Sequence, residues 1–329
     1  MCLVLSLIIN TKAPAFDKRL SAAISRYIMA VMHEDLGNIA QAIGEYKEAL
    51  KADSENVAIH LNLASSYIKN NNIPQAIAEL DAAVKLEPEA VESHAILMLL
   101  YSSQNKPDLA TKEYEIALKN ASKLQPKNID IYKNLGAVYL QQKKFKEAEN
   151  TYNLVLDLSP NDSQAYFYLG NVYEEMKNRE AAIKQLKKAL ELKPDYQEAL
   201  NYLGYLYVEE NRNLDEAEVM IKKALEIEPN NGAYIDSLGW LYFKKGNLEG
   251  ALKEVEKASQ SIEDPVVYDH LGDIYFKMGN KENARLNWEK SLKLDAKQDK
   301  VKKKLEKTMT NDKAQNRIKS QIQILPNPK

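Results

Sequence analysis

Few side chains in this 329-residue sequence are equipped for chemistry: four histidines and a single cysteine, Cys2. His270 stands beside Asp269 and near Asp273, one imidazole with two carboxylates. A structural zinc site takes four thiolate or imidazole ligands, so this group is read as part of a binding surface and no metal is expected. His60, His94 and His33 fall at positions that the rest of the chain fills with packing residues, and packing is their expected role. One cysteine can form neither an intramolecular disulfide nor a thiolate cluster. G-x-G-x-x-G, G-x-x-x-x-G-K-[ST], H-E-x-x-H and G-x-S-x-G are absent, so the usual phosphate cradles, zinc helices and nucleophile elbows are missing. Recognition is the chemistry on offer; no catalysis and no cofactor are expected.

The elements that position these residues come from internal repetition. Aligning "YIDSLGWLYFKKGNLEGALKEVEKA" (234–258) with "YFYLGNVYEEMKNREAAIKQLKKAL" (166–190) and "YKNLGAVYLQQKKFKEAENTYNLVL" (132–156) recovers one pattern with a period near 34. A first helix carries leucine, a small residue and an aromatic. A second carries alanines and a large apolar residue and often ends at proline. The small residue is Ala30, Ala64, Gly136, Gly170, Gly204, Gly239 or Gly272, where facing helices must approach closely; Met98 breaks the pattern in the third copy. The aromatic is Tyr67, Tyr101, Tyr139, Tyr173, Tyr207, Tyr242 or Tyr275, with His33 in its place in the first copy. Second-helix alanines seven apart, such as Ala76 and Ala83 or Ala251 and Ala258, share one face. Gly37-Asn38, Gly246-Asn247 and Gly279-Asn280 mark interhelical turns.

These residues resemble the tetratricopeptide repeat (TPR) family, with its period of about 34 residues and its W-x2-L-G-x2-Y…A-x3-F…P signature. Eight copies start near Ala23, Val57, Val91, Ile129, Ser163, Gln197, Gly232 and Pro265 and cover about residues 23 to 298. The resemblance implies an all-α TPR solenoid, a right-handed superhelix of about eight helix-turn-helix repeats with a C-terminal capping helix. The third copy carries about four extra residues near "KNASKLQP", consistent with one added turn of its second helix, and the sixth carries one near "ENRNLDEAE". Both are expected to be tolerated insertions.

In that family the first helices line a concave groove, at about positions 2, 5, 6, 9, 12 and 13 of each copy, that binds a peptide or partner helix. Carried onto the last four copies, those positions include Phe167, Tyr168, Asn171, Asn201, Tyr202, Tyr205, Asp236, Trp240, Asp269, His270 and Asp273. Seven acids (Glu174, Glu175, Glu198, Glu209, Asp236, Asp269, Asp273) stand there against Lys244 and Lys277. A basic or neutral extended segment of a protein or peptide partner is therefore the expected ligand. The alternative is that the aromatics pack between copies while the acids form a solvated face. The lysine, arginine and asparagine clamp by which some family co-chaperones hold a terminal carboxylate is matched only by Lys133 and Asn134.

A net charge of -2 gives no nucleic-acid footprint, and no run is long enough to span a membrane. "MCLVLSLIINTKAPAF" resembles a secretory signal ending in Ala13-Pro14-Ala15, but no basic residue precedes its apolar run. Residues 1–22 are thus either a signal remnant, with an exported or periplasmic protein, or an apolar end packing on the first helix of a cytoplasmic one. Residues 299–329 hold nine basic and three acidic side chains, +6 against -8 for the rest. They read as a capping helix on Val301, Leu305 and Met309 followed by a solvated basic tail. Together these features point to a non-catalytic interaction scaffold or adaptor, with the C-terminal copies resembling those of bacterial envelope adaptors. A self-assembling structural solenoid and a soluble subunit of a larger complex are the alternatives.

Overall fold

The computed structural model describes residues 18–308; the signal-like stretch through Ala15 and the basic tail beyond residue 308 lie outside them. Every regular element among the described residues is a helix. The chain divides into two compact units between Leu158 and Ser159.

The first unit pairs α1 (Lys18–Asp35) with α2 (Ile39–Ala52), α3 (Val57–Lys69) with α4 (Ile73–Leu86), α5 (Val91–Ser103) with α6 (Pro107–Leu124), and α7 (Ile129–Gln141) with α8 (Phe145–Leu158). The second pairs α9 (Ser163–Glu175) with α10 (Arg179–Leu192), α11 (Gln197–Glu209) with α12 (Leu214–Ile227), α13 (Gly232–Lys244) with α14 (Leu248–Ser261), and α15 (Pro265–Lys277) with α16 (Lys281–Leu294). A further helix runs from residue 299 to 308. From α3 to α15 the first helix of each copy begins on the residue from which the repeat was counted. In the first copy, α1 begins five residues earlier than Ala23, at Lys18.

One turn geometry closes every first helix. After α3, Asn71 N–H donates to the Ile68 carbonyl at 2.9 Å and Asn72 N–H to the Tyr67 carbonyl at 2.8 Å, the paired bonds of a Schellman motif. That motif needs one left-handed residue. Gly37, Gly246 and Gly279 fill it, as do Asn71, Asn105, Lys143, Lys177 and Asn211. The extra residue of the sixth copy is absorbed here by a second left-handed residue, Asn213, while that of the third lengthens α6 to 18 residues against 14 in α4.

Packing within each pair explains the small residue. A methyl group on Gly239 would lie 2.4 Å from Val255, and one on Gly272 2.3 Å from the Trp288 indole. The second-helix alanines Ala76, Ala83, Ala182, Ala189, Ala251 and Ala258 are fully buried on the facing side. Val301, from the 299–308 helix, is buried against Ala284 and Trp288.

Two histidines of the first unit each pin one helix pair together. His60 Nδ1 meets Glu79 at 2.7 Å and His94 Nδ1 meets Glu113 at 2.6 Å, while their Nε2 atoms reach the Ser54 and Pro88 carbonyls. Arg26 holds Glu45 at the equivalent place in the first copy. His33 packs with its Nδ1 buried and without a partner among the described residues.

Candidate partner-binding groove

Helices α9, α11 and α13 each start at an Asp, Tyr or Asn in extended conformation; at α9 and α13 the side chain of Asp162 or Asn231 also caps the first free N–H groups. With pitch and register fixed in this way, side chains at like positions of successive copies stand next to one another. Phe167 packs edge-on to Tyr168 at 5.3 Å and to Tyr202 at 6.4 Å, and tilts against Tyr196 at 5.2 Å. Asn171 is half-buried on α9, close along the helix to Phe167 and Tyr168.

Beside this aromatic group lies an open slot of about 230 Å³. Asn201, Tyr202 and Tyr205 form one wall, Ala233, Asp236 and Ser237 the second, and Ile262, Asp264, Val266 and Val267 the third. The Asn201 Oδ1 atom is buried and has no partner among the described residues. Burial, with the acids nearby, pushes both the Tyr202 and the Tyr205 hydroxyl well above the ordinary tyrosine value, so both remain protonated donors.

Behind the slot is a stack. The Trp240 indole lies between His270, 3.9 Å away and nearly parallel, and Phe243, 4.7 Å away. Its Nε1–H donates to Glu209 at 2.7 Å, and Lys244 Nζ stands 5.0 Å from the ring. His270 Nδ1–H donates to both Asp236 oxygens, at 2.9 and 3.1 Å. Trp240 is 6% exposed, Asp236 6% and His270 4%; Trp240 and His270 support the slot from beneath, while Asp236 lines it. Burial works against a charge on His270, but the Asp236 carboxylate outweighs it, with help from Asp269 and Glu209, and raises its pKa above the ordinary value.

His270 thus pairs with a residue one copy earlier, not with its sequence neighbours. Asp269 and Asp273 are instead held by Lys304 of the 299–308 helix, at 2.6 and 2.7 Å, and Asp273 also accepts from the Trp288 indole at 3.2 Å. Glu174 is held by Arg179 through two bonds. Five of the seven acids counted in the sequence are therefore engaged within the fold. Only Glu175 and Glu198 stand exposed, and Arg179, His270 and Lys304 offset part of the acidity that suggested a basic ligand.

Sequence reasoning missed Tyr196 and Lys304. Tyr196 precedes α11 and lies outside the carried-over groove positions. Lys304 lies 35 residues after Asp269, and continuing the period one copy past Pro265 would have placed it there. Among the described residues no cluster of His, Cys, Asp and Glu could hold a metal, and no helix is long and apolar enough to cross a membrane.

Sequence models described as tetratricopeptide repeats match residues 35–99, 129–162, 163–196, 197–231 and 266–298. No curated protein matches the chain. Among solved structures, a tetratricopeptide repeat protein from Parabacteroides merdae is similar with a TM-score of 0.60 at 23% identity, over 77% of this chain and 98% of its own. The APC/C hetero-tetramer Cut9–Hcn1 gives 0.56 at 16% identity, over 82% of this chain and 52% of that one. A thermophilic tetratricopeptide protein of Thermus thermophilus gives 0.49 at 18% identity, over 55% and 99%. At these identities the likeness is one of fold alone.

Proposed function

The chain belongs to the tetratricopeptide repeat family, and from that premise we propose that it is a non-catalytic protein-interaction scaffold whose second unit holds an extended, uncharged segment of a protein partner. The observation that carries this reading is the slot between α11, α13 and α15. Tyr202, Tyr205 and Asn201, whose buried amide oxygen has no partner among the described residues, line it together with the apolar Ile262, Val266 and Val267. A buried acceptor without a donor costs about 1–3 kcal/mol, and an entering backbone N–H or carboxamide would relieve that cost. Of the neighbouring acids, Glu174 is matched by Arg179, Asp236 by His270 and Asp269 by Lys304, which supports a neutral occupant over a strongly basic one.

The test is peptide-display selection against the chain, followed by affinity measurement on Tyr202→Ala, Tyr205→Ala. Buried tyrosines at interface centres contribute about 2 kcal/mol each. The double variant is therefore expected to weaken enriched uncharged peptides by at least about 30-fold, and unchanged affinity would remove the slot from the binding surface.

Self-association is a second reading, favoured by one observation. Leu20, Ile24, Ile28 and Met32 leave an exposed apolar face on α1. Light scattering across a concentration series separates the two readings, because a scaffold of single chains keeps a constant mass.

A further inference from the structure

The acids around the slot differ in what neutralises them. Glu174 is matched by a guanidinium, Arg179, and Asp269 with Asp273 by an ammonium, Lys304; both cations keep their charge throughout the neutral range. Glu209 accepts from the uncharged indole of Trp240. Two acids line the slot itself: Asp264, which accepts from the Val266 N–H at 2.7 Å, and Asp236, which is matched by a group that can lose its charge near neutrality, the His270 imidazole. His270, 4% exposed, lies against the Trp240 face, so water is kept from the imidazole itself.

We propose that His270 sets the charge preference of this slot: as an imidazolium it cancels the Asp236 carboxylate in the slot wall and admits an uncharged segment, and loss of that charge adds a second uncompensated carboxylate to Asp264 and shifts the slot towards an arginine or lysine side chain. The inference rests on the groove reading above. The groups facing His270 fit it. On α13 Asp236 carries the opposing charge. On α11 Tyr205 presents its ring at 6.5 Å, and Glu209 lies close enough to add to the raised pKa. On α15 itself, Asp269 and Asp273 are held by Lys304. Lys244 stands on Trp240 and brings no charge to the imidazole edge that faces Asp236. Removing one proton from His270 therefore leaves the buried Asp236 carboxylate without its counter-charge, and an entering cation is a group that restores it.

The probe is a pooled nonapeptide library carrying glutamine or arginine in turn at each position, because arginine stays charged at every pH used. Binding is read for the full chain at about pH 6 and about pH 9.5, and for His270→Gln and Asp236→Asn at about pH 6. The expected result is a glutamine preference for the unaltered chain at the lower pH. An arginine preference of at least about tenfold is expected at one peptide position for His270→Gln and for the unaltered chain at the higher pH, with none for Asp236→Asn. A purely structural role for His270 would weaken both peptide sets and could not invert their order. If His270→Gln fails to fold, the pH arm of the unaltered chain carries the test alone. An identical arginine-to-glutamine ratio in all arms overturns this proposal and leaves the groove standing. No enrichment in any arm overturns the groove reading and this inference with it.

Discussion

Replacing Gly272 with alanine tests whether close approach, and not local helix preference, sets the small residue of each copy. The added methyl would fall 2.3 Å from Cδ1 and Nε1 of Trp288, whereas carbon contacts settle near ~3.5 Å. Relief requires the indole to move about 1.2 Å, the difference between those distances. The ring is 2% exposed, packs on Phe276 at 5.6 Å and donates to Asp273 at 3.2 Å. Overpacking of this kind costs about 1–3 kcal/mol, and a weakened buried hydrogen bond adds about 1 kcal/mol. With a urea slope of about 1–3 kcal/mol per molar, the midpoint should fall by roughly 1 M when followed by tryptophan fluorescence, which reports Trp240 and Trp288 in the second unit. Gly44→Ala, in the first unit and therefore followed by far-ultraviolet circular dichroism, is the control. A methyl on Gly44 meets nothing within 4 Å, so at this exposed site inside α2 alanine should add about 0.5–1 kcal/mol through helix propensity alone. Opposite signs for the two substitutions are the expected result. A neutral or stabilising Gly272→Ala would refute the close-approach account.

The left-handed turn residues Lys143 (φ 59) and Lys177 (φ 61) carry side chains where the geometry suits glycine, and Lys→Gly at either should raise thermal stability by about 0.5–1 kcal/mol. Because the folded pKa of His270 lies above its unfolded value, its pairing contributes in full below about pH 6.5 and is lost as pH rises through the folded pKa. Thermal melts across that window should show stability falling with pH for the native chain and a flatter profile for His270→Gln. Trp240→Phe keeps the stack but strips Glu209 of its donor, at an expected cost of about 1–3 kcal/mol in chemical denaturation; no loss would mean that water replaces the indole.

The starts of seven first helices were legible in the sequence because leucine, glycine and tyrosine recur at fixed offsets, and the Gly272–Trp288 contact follows from that register. Pairings between copies were harder to see. Asp269 and His270 are adjacent in sequence, yet helical geometry points them to different neighbours, and His270 reaches Asp236, 34 residues earlier. The acid count was incomplete for the same reason: a tally of groove positions omits Arg179, at the start of α10, and Lys304, beyond the last complete copy, each of which pairs with acids in that tally. The orphaned Asn201 oxygen has no sequence signature at all, since it depends on what the neighbouring helices fail to supply.

Within the second unit, each helix pair packs chiefly on its neighbours along the chain, which fixes how the stack yields under load. Pulled from its C-terminal end, such an array peels one pair at a time. Each event frees about 34 residues, roughly 110–120 Å of extended chain. The first grip to release is the Lys304 fork on Asp269 and Asp273, and the next pair holds through Asp236 and His270. The force trace of this unit should therefore be a sequence of teeth, with the tooth that breaks the imidazole pair lowered by alkali and the others unmoved.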